Sequence, residues 1–239
     1  MGEVIKIQNL YKSYGDKEVI KGISLTTYSG EVFGFLGKNG VGKSTTIDCM
    51  VGIKSFNKGE IFINGYSITK KPIEAKKTFG YVNSEPLCYE TMTGREYLAF
   101  IASIYKIPNK DFKFYLNKYS LMFDIANDLD RLIKEYSHGM KQKISLIASV
   151  IFNPKLLILD EPTVGLDVMV ANTLNNLILD LKRNNKGVFV TSHNIDFVKK
   201  VCDRVSIINN GRIVYLLDLD KRNDYRQNLE NIFLSVYSK

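Results

Sequence analysis

The fold is decided by the stretch Gly37-Lys38-Asn39-Gly40-Val41-Gly42-Lys43-Ser44-Thr45, which matches the pattern G-x-x-x-x-G-K-[ST]. An apolar run, Glu31 to Leu36, precedes it, and a plausible helix, Thr45 to Val51, follows it. Glycines are required in such a loop because successive backbone N–H groups must turn inward around an anion, and a Cβ atom would block that path. The sequence therefore predicts a strand, a phosphate-binding loop and a helix whose positive end faces the phosphates.

Two side chains of this loop carry chemistry of their own. Lys43 can reach the β- and γ-phosphates of a nucleotide, and the Ser44 hydroxyl can coordinate Mg²⁺. We therefore expect the whole loop, from Gly37 to Thr45, to bind a nucleoside triphosphate. The alternative is a glycine-rich turn without a ligand, which the flanking strand and helix disfavour.

Three further candidates follow two later strands. The apolar strand Lys155 to Leu159 ends in Asp160 and Glu161, and His193 follows the strand Gly187 to Thr191. At the carboxyl end of a parallel strand, Asp160 can hold Mg²⁺ directly or through water, and Glu161 can polarise the attacking water as a general base. His193 can hydrogen-bond the γ-phosphate or orient the water and Glu161. The alternatives are two surface acids and a structural histidine.

Strands and helices alternate along the chain, which predicts an α/β fold with a mainly parallel core sheet. The predicted strands are Val4–Leu10, Gly30–Leu36, Gly59–Gly65, Lys155–Leu159, Gly187–Thr191, Arg204–Asn209 and Arg212–Leu216. The predicted helices include Arg95–Tyr105, Met140–Phe152, Met169–Arg183 and Ile195–Cys202. A largely helical block, residues 84–153, is interpreted as an inserted subdomain. The core then comprises residues 1–83 and 154–217, and the tail 218–239 is too short for a further domain.

The composition fits one α/β domain of 239 residues, 45% of them hydrophobic. No run provides the roughly 20 apolar residues of a membrane-spanning helix, and the N-terminus lacks signal-peptide features, so we expect a cytoplasmic protein. The three cysteines form no CxxC motif, and we expect them to be buried apolar side chains. The net charge of +8 is compatible with a nucleic-acid or anionic-membrane partner, but it is spread along the chain without a run of five like charges. It therefore favours an ordinary solvated surface over a nucleic-acid partner without deciding between them.

Two more segments complete a set of five ordered motifs. The segment Tyr136 to Lys143 (YSHGMKQK) resembles the ABC signature, and the segment Pro162 to Asp167 (PTVGLD) resembles the D-loop. Over essentially the whole chain, the order and spacing of the motifs resemble an ATPase subunit of an ABC transporter. The resemblance implies a P-loop NTPase fold with an N-terminal antiparallel β subdomain and an inserted helical subdomain. It also implies ATP and Mg²⁺ as cofactors.

The same resemblance assigns roles to four more residues. Tyr14 would stack on the adenine, with a strand-edge aromatic as the alternative. Ser137 and Gly139 of one subunit would close over the ATP held by the other subunit, in a head-to-tail homodimer or pseudo-dimer, and Asp167 would couple the two sites. Helix electrostatics support the roles of Ser137 and Gly139, because a serine and a small residue at the start of the helix Met140 to Phe152 form an anion-binding N-terminus.

Three positions depart from the family pattern. His138 replaces the usual first glycine of the signature, and Met140 replaces the usual glutamine. Ser84 stands where the family places a glutamine that contacts Mg²⁺. Because serine has a shorter reach, Glu85 or a bridging water could substitute for that contact. The loop lysine and both acids are retained, so we expect competent hydrolysis.

The segment Ser84 to Ile107 and the tail from Asn228 to Leu234 resemble subunits of the ABC-2 class, which serve drug, peptide, bacteriocin or lantibiotic export and immunity in bacteria. This resemblance implies a peripheral protein on the cytoplasmic face of the cell membrane that powers export through a permease on a separate chain. Two rival functions stay open. One is an ABC ATPase that acts on nucleic acid or ribosomes, and the other is a nucleotide-binding module without hydrolysis.

Overall fold

Strands and helices alternate along the chain in the computed structural model, which describes residues 2–164, 166–219 and 223–238. The strands are β1 (Glu3–Tyr14), β2 (Lys17–Tyr28), β3 (Val32–Leu36), β4 (Lys58–Ile63), β5 (Tyr66–Ser67), β6 (Phe79–Val82), β7 (Leu156–Asp160), β8 (Gly187–Ser192), β9 (Arg204–Asn209) and β10 (Arg212–Asp218). The α-helices are α1 (Lys43–Met50), α2 (Pro72–Lys76), α3 (Gly94–Ile104), α4 (Asn109–Met122), α5 (His138–Val150), α6 (Val168–Arg183), α7 (Ile195–Val201) and α8 (Asn223–Tyr237).

The central sheet has the strand order β10-β9-β3-β8-β7-β6, in which β10 runs antiparallel to β9 and the other neighbours are parallel. β3, β7 and β8 are buried along their whole length, as expected for apolar strands that are covered on both faces. Asp160 pairs with Thr191, and Leu36 pairs with Ser192. The carboxyl ends of three neighbouring strands therefore lie side by side, which is where α/β sheets bind ligands.

A smaller antiparallel sheet has the order β2-β1-β4-β5. Sequence patterns do not predict β2, because Lys17, Lys21 and Gly22 interrupt its apolar alternation.

The two Asn-Gly segments form turns, as the sequence predicts. In Asn64-Gly65 and Asn210-Gly211, all residues have positive φ, as a two-residue hairpin turn of type I′ requires.

Helices α3, α4 and α5 form a helical part of the chain that packs on the central sheet through α5. α5 begins at His138 rather than at the predicted Met140, because the Ser137 side chain caps it by accepting the Met140 N–H at 3.3 Å. The helix lies directly on β6, since a Cβ atom on Gly80 would come within 1.9 Å of the Ser149 carbonyl oxygen. The predicted fold class is confirmed, whereas the domain boundaries at residues 84 and 153 stay a prediction.

The C-terminal segment contains a helix, although sequence patterns predict no element beyond Leu216. β10 extends to Asp218, and α8 packs on the core with Leu229 and Phe233 buried. The apolar pattern of α8 is hard to recognise in the sequence, because the helix is rich in polar residues and few of its positions are buried. Its docking brings the end of the helix near the carboxyl edge of the central sheet.

Two of the three cysteines are buried, as the sequence predicts. Cys49 and Cys202 are buried, but Cys88 is only partly buried, which corrects the expectation that all three are core residues. Cys88 lies in the segment after β6, where its Sγ atom is 3.8 Å from the Lys141 carbonyl oxygen.

Among the residues that the structure describes, none of the helices combines the length and the apolar character needed to cross a bilayer.

Candidate nucleotide-binding site

The loop between β3 and α1 has the backbone shape of an anion cradle. Gly40 and Gly42 have φ angles of +82° and +112°, a region that residues with a Cβ atom rarely adopt. Gly37 lies so close to β9 that a Cβ atom would come within 2.8 Å of the Ile208 side chain. α1 then begins at Lys43, so the unpaired N–H groups of its first turn lie at the loop.

The Lys43 side chain is held inside this loop and is only 5% exposed. Its ammonium group donates to the carbonyl oxygens of Gly37 at 2.7 Å and Lys38 at 3.1 Å. It also forms an ion pair with Glu161, with 2.9 Å between Lys43 Nζ and Glu161 Oε1. The ammonium group therefore lies between the phosphate-binding loop and the acid that follows β7.

Asp160 is the last residue of β7, and two hydroxyl groups contact its buried carboxylate. Thr191 Oγ1 donates to Asp160 Oδ1 at 2.6 Å, and the Ser44 hydroxyl forms a second hydrogen bond. Burial raises the pKa of Asp160, and the two hydroxyl hydrogen bonds oppose that rise. Ser44 and Asp160 thus place oxygen atoms together beside the loop, and oxygen is the ligand that Mg²⁺ prefers.

Glu161 links Lys43 on one side to His193 on the other. Its Oε2 atom lies 2.9 Å from His193 Nδ1, and the His193 backbone N–H donates to the same oxygen at 3.3 Å. Glu161 has a φ angle of +48°, which is uncommon for a residue other than glycine, and its own N–H donates to Thr191 Oγ1 at 3.0 Å. A side chain whose backbone is held in such a conformation is a candidate for function.

These groups surround a cleft with a volume of about 330 Å³. The lining residues are Val19, Asn39, Gly40, Gly42, Lys43, Ser44, Thr45 and Glu161. Backbone N–H groups, hydroxyls and one ammonium group converge there, which fits a triphosphate, and the oxygen atoms of Ser44 and Asp160 fit Mg²⁺. Sequence reasoning misses Val19, because it lies on β2, a strand that sequence patterns do not predict. The packing of β2 places the Val19 carbonyl oxygen 3.4 Å from where a Cβ atom on Gly42 would lie.

Tyr14, the predicted adenine partner, lies at the end of β1 and outside the lining of the cleft. Its partly exposed ring faces two ammonium groups, with Lys12 Nζ at 4.8 Å and Lys54 Nζ at 5.7 Å from the ring centre. The structure thus does not bring Tyr14 together with the loop residues, and adenine stacking stays a prediction.

The three residues predicted to act across a dimer also lie outside the cleft lining. Ser137 is exposed at the N-terminus of α5, and a Cβ atom on Gly139 would meet no heavy atom within 4 Å. Asp167 caps α6 by accepting the Val170 N–H at 2.8 Å. Gly165 of the D-loop lies outside the described residues.

Ser84 follows β6, and its polar atoms contact the neighbouring Asn83. The Ser84 N–H donates to Asn83 Oδ1 at 2.9 Å, and the Ser84 hydroxyl lies 3.4 Å from the same oxygen. Tyr81 is a neighbour that sequence reasoning does not single out. Burial raises the pKa of Tyr81, and the negative charge of Asp160 adds to the rise.

Comparison with known proteins places this site in a family. Residues 20–164 match the profile described as ABC transporter. The chain is 35% identical over 211 residues to the linearmycin resistance ATP-binding protein LnrL of Bacillus subtilis (strain 168), an alignment that covers 88% of this chain and 68% of LnrL. It is 31% identical over 230 residues to the lantibiotic transport ATP-binding protein SrtF of Streptococcus pyogenes, covering 96% of each.

A solved structure agrees with these sequence matches. The ATP binding subunit of an ABC transporter superposes with a TM-score of 0.88 at 28% identity, covering 95% of this chain and 93% of that one. The profile match alone spans more than half of the chain. The chain therefore belongs to the ABC transporter family, as an ATP-binding domain.

Proposed function

We propose that this chain hydrolyses ATP and thereby drives the export of a peptide or drug-like substrate through a membrane permease. The observation that carries the proposal is the position of Glu161 between Lys43 and His193, next to the hydroxyl-bonded Asp160. The substrate class comes from the relatives that are named for lantibiotic transport and linearmycin resistance.

The Lys43–Glu161 ion pair is the starting point of the mechanism that we propose. When a triphosphate enters the loop, its oxygen atoms compete for the Lys43 ammonium group, and Glu161 is released. The released carboxylate accepts a proton from the attacking water, and a positioned general base of this kind contributes about 10²–10⁴ in rate. His193 Nδ1 keeps the carboxylate oriented, while its second ring nitrogen is available to the γ-phosphate.

Ser44 and Asp160 are the residues that would hold Mg²⁺. When bound, Mg²⁺ neutralises negative charge on the phosphate oxygens. Thr191 adds a contribution that the sequence does not indicate. Its hydroxyl donates to Asp160 and accepts the N–H of Glu161, so one side chain fixes the metal ligand and the base relative to each other.

The working form in this proposal is a head-to-tail dimer of ATPase subunits, either a homodimer or a pseudo-dimer. Ser137 and Gly139 at the start of α5 are accessible to a second subunit. Beside the capping Asp167, the apolar side chains of Val168 and Met169 are 77% and 81% exposed. Exposed apolar side chains next to the predicted coupling loop support an interface at this surface.

A groove between the central sheet and the helical part supports a membrane partner. Its volume is about 370 Å³, and its lining includes Tyr97, Ile101, Tyr105 and Phe152. Leu87, which also lines the groove, is 73% exposed. An apolar groove with an exposed apolar residue at its rim fits a short amphipathic helix of a permease.

Magnesium-dependent phosphate release by the purified chain tests the proposal when it is measured over a wide range of protein concentrations. We expect the turnover per chain to rise with concentration as dimers form, and to stop when EDTA is added. ATP binding without turnover at any concentration would support the nucleotide-binding module instead. Strong stimulation by DNA or RNA would favour the nucleic-acid rival.

A further inference from the structure

The C-terminal helix α8 ends against the phosphate-binding loop. The Tyr237 hydroxyl accepts the backbone N–H of Lys38 at 3.2 Å and donates to the Ile208 carbonyl oxygen at 2.5 Å. The Lys38 ammonium group lies 4.8 Å from the centre of the same ring. Tyr237 belongs to none of the five sequence motifs, yet one of its atoms connects the loop to the end of β9.

Both partners of Tyr237 help to form the nucleotide site. The Lys38 carbonyl oxygen accepts a hydrogen bond from the Lys43 ammonium group at 3.1 Å. The Ile208 side chain lies directly under Gly37, where a Cβ atom would not fit. The loop therefore receives its support from β9 below and from Tyr237 at its side.

The protonation state of Tyr237 suits this double role. Burial raises the pKa of Tyr237, and the hydrogen bond from Lys38 opposes the rise. The phenol therefore stays protonated near neutral pH. A protonated phenol can donate to one group while it accepts from another, whereas a phenolate can only accept.

Tyr237 can position the loop only if its own helix is fixed, and the contacts of α8 show that it is. Leu229 and Phe233 are buried. The Phe233 ring centre lies 4.9 Å from that of Tyr237, and Asn209 Nδ2 donates to the Val236 carbonyl oxygen at 3.3 Å. The last turn of the helix is therefore held against β9.

We propose that Tyr237 is a positioning residue that holds the phosphate-binding loop, through Lys38, in the shape that binds ATP. The inference rests on the proposed nucleotide site and gives the C-terminal helix a part in setting ATP affinity. If the loop without this hydroxyl adopts the binding shape about one fifth of the time, the apparent Kd for ATP rises about fivefold. Saturating ATP restores the shape, so KM carries the effect and kcat changes little.

Tyr237→Phe tests the inference, because it removes the hydroxyl and keeps the ring. We expect its Kd for ATP, measured by calorimetry without Mg²⁺, to rise about three- to tenfold. Hydrogen exchange at the Lys38 amide should accelerate, while exchange along α8 and the Tm stay as in the unsubstituted chain. Ser235→Ala is the matched control, since its hydroxyl bonds the Ile232 carbonyl of the same helix and its loss should leave the Kd unchanged.

Three other outcomes would each overturn the inference about Tyr237. An unchanged Kd in Tyr237→Phe, while the unsubstituted chain binds ATP, overturns the positioning role and leaves the proposed function intact. Faster exchange along the whole of α8 with a lower Tm also overturns it, because the hydroxyl would then dock the helix rather than hold the loop. Failure of the unsubstituted chain to bind ATP would overturn the proposed function together with this inference.

Discussion

The carboxyl edge of the central sheet and the start of α5 both hold predicted site residues, but they differ in how those residues are partnered. At the sheet edge, Lys43, Asp160 and Glu161 are buried or nearly so, and each contacts another site residue or Thr191. At the start of α5, Ser137 bonds the N–H of its own helix, and Gly139 has open space around it.

The two regions therefore differ in how much of the candidate site one chain builds by itself. The sheet edge holds the proposed base and the proposed metal ligands in place through contacts within one chain. The start of α5 presents unpaired N–H groups and an exposed serine, which is a surface ready for an anion that another molecule supplies. We infer that the second region acts on the nucleotide of a second subunit.

Glu161→Gln should have the largest effect. Glutamine keeps the shape of the side chain but cannot accept the proton, so we expect kcat to fall by about 10²–10⁴. ATP binding should persist, because Lys43 is then free for the phosphates. Phosphate release and calorimetric ATP binding, measured on the same preparation, check both parts. Near-normal turnover would show that another group is the base.

Ser137→Asp should have a smaller effect, confined to the second region. Aspartate caps a helix as well as serine does, so α5 should remain folded. In the proposed dimer its negative charge would face the triphosphate of the other subunit, and we expect turnover to fall at least about tenfold. ATP binding by the dilute chain should not change. A variant that loses ATP binding at low concentration would mean that Ser137 acts within its own chain.

Ser84→Gln should have the smallest effect. The Ser84 hydroxyl contacts Asn83. Glutamine would supply the longer side chain that the family places at this position for contact with Mg²⁺. We expect the Mg²⁺ concentration for half-maximal turnover to fall about two- to fivefold, the scale of one hydrogen bond. Ser84→Ala is the control and should behave like the unsubstituted chain. A marked loss in Ser84→Ala would show that the serine itself contacts the metal.

Sequence patterns suffice to bring together the candidate residues at the sheet edge, because each of them is recognised from its immediate neighbours in the chain. Asp160 and His193 lie at or just after the ends of β7 and β8, and Lys43 begins the helix that follows the loop after β3. The parallel arrangement brings the ends of these three strands to one edge. The glycine loop likewise depends on backbone conformations that the residue types themselves permit. Such features require only the correct strand assignment and strand direction.

The features that sequence reasoning misses depend on contacts between distant residues. Val19 reaches the cleft from β2, a strand that sequence patterns miss because lysines and a glycine interrupt its apolar alternation. Tyr237 contacts Lys38, which lies 199 positions earlier in the chain, because a helix of low apolar content docks on β9. No local pattern encodes either contact, so both require the folded structure.

Mixing two defective chains tests directly whether the loop of one chain works with the signature of another. Lys43→Ala damages the loop, and Ser137→Asp damages the signature, so neither variant alone should turn over at an appreciable rate. In a mixed dimer, one site combines the intact loop of one chain with the intact signature of the other. For independent sites and random pairing, an equimolar mixture should recover about a quarter of the normal turnover per chain. Turnover no higher than the mean of the two separate variants would show that each site is built within one chain.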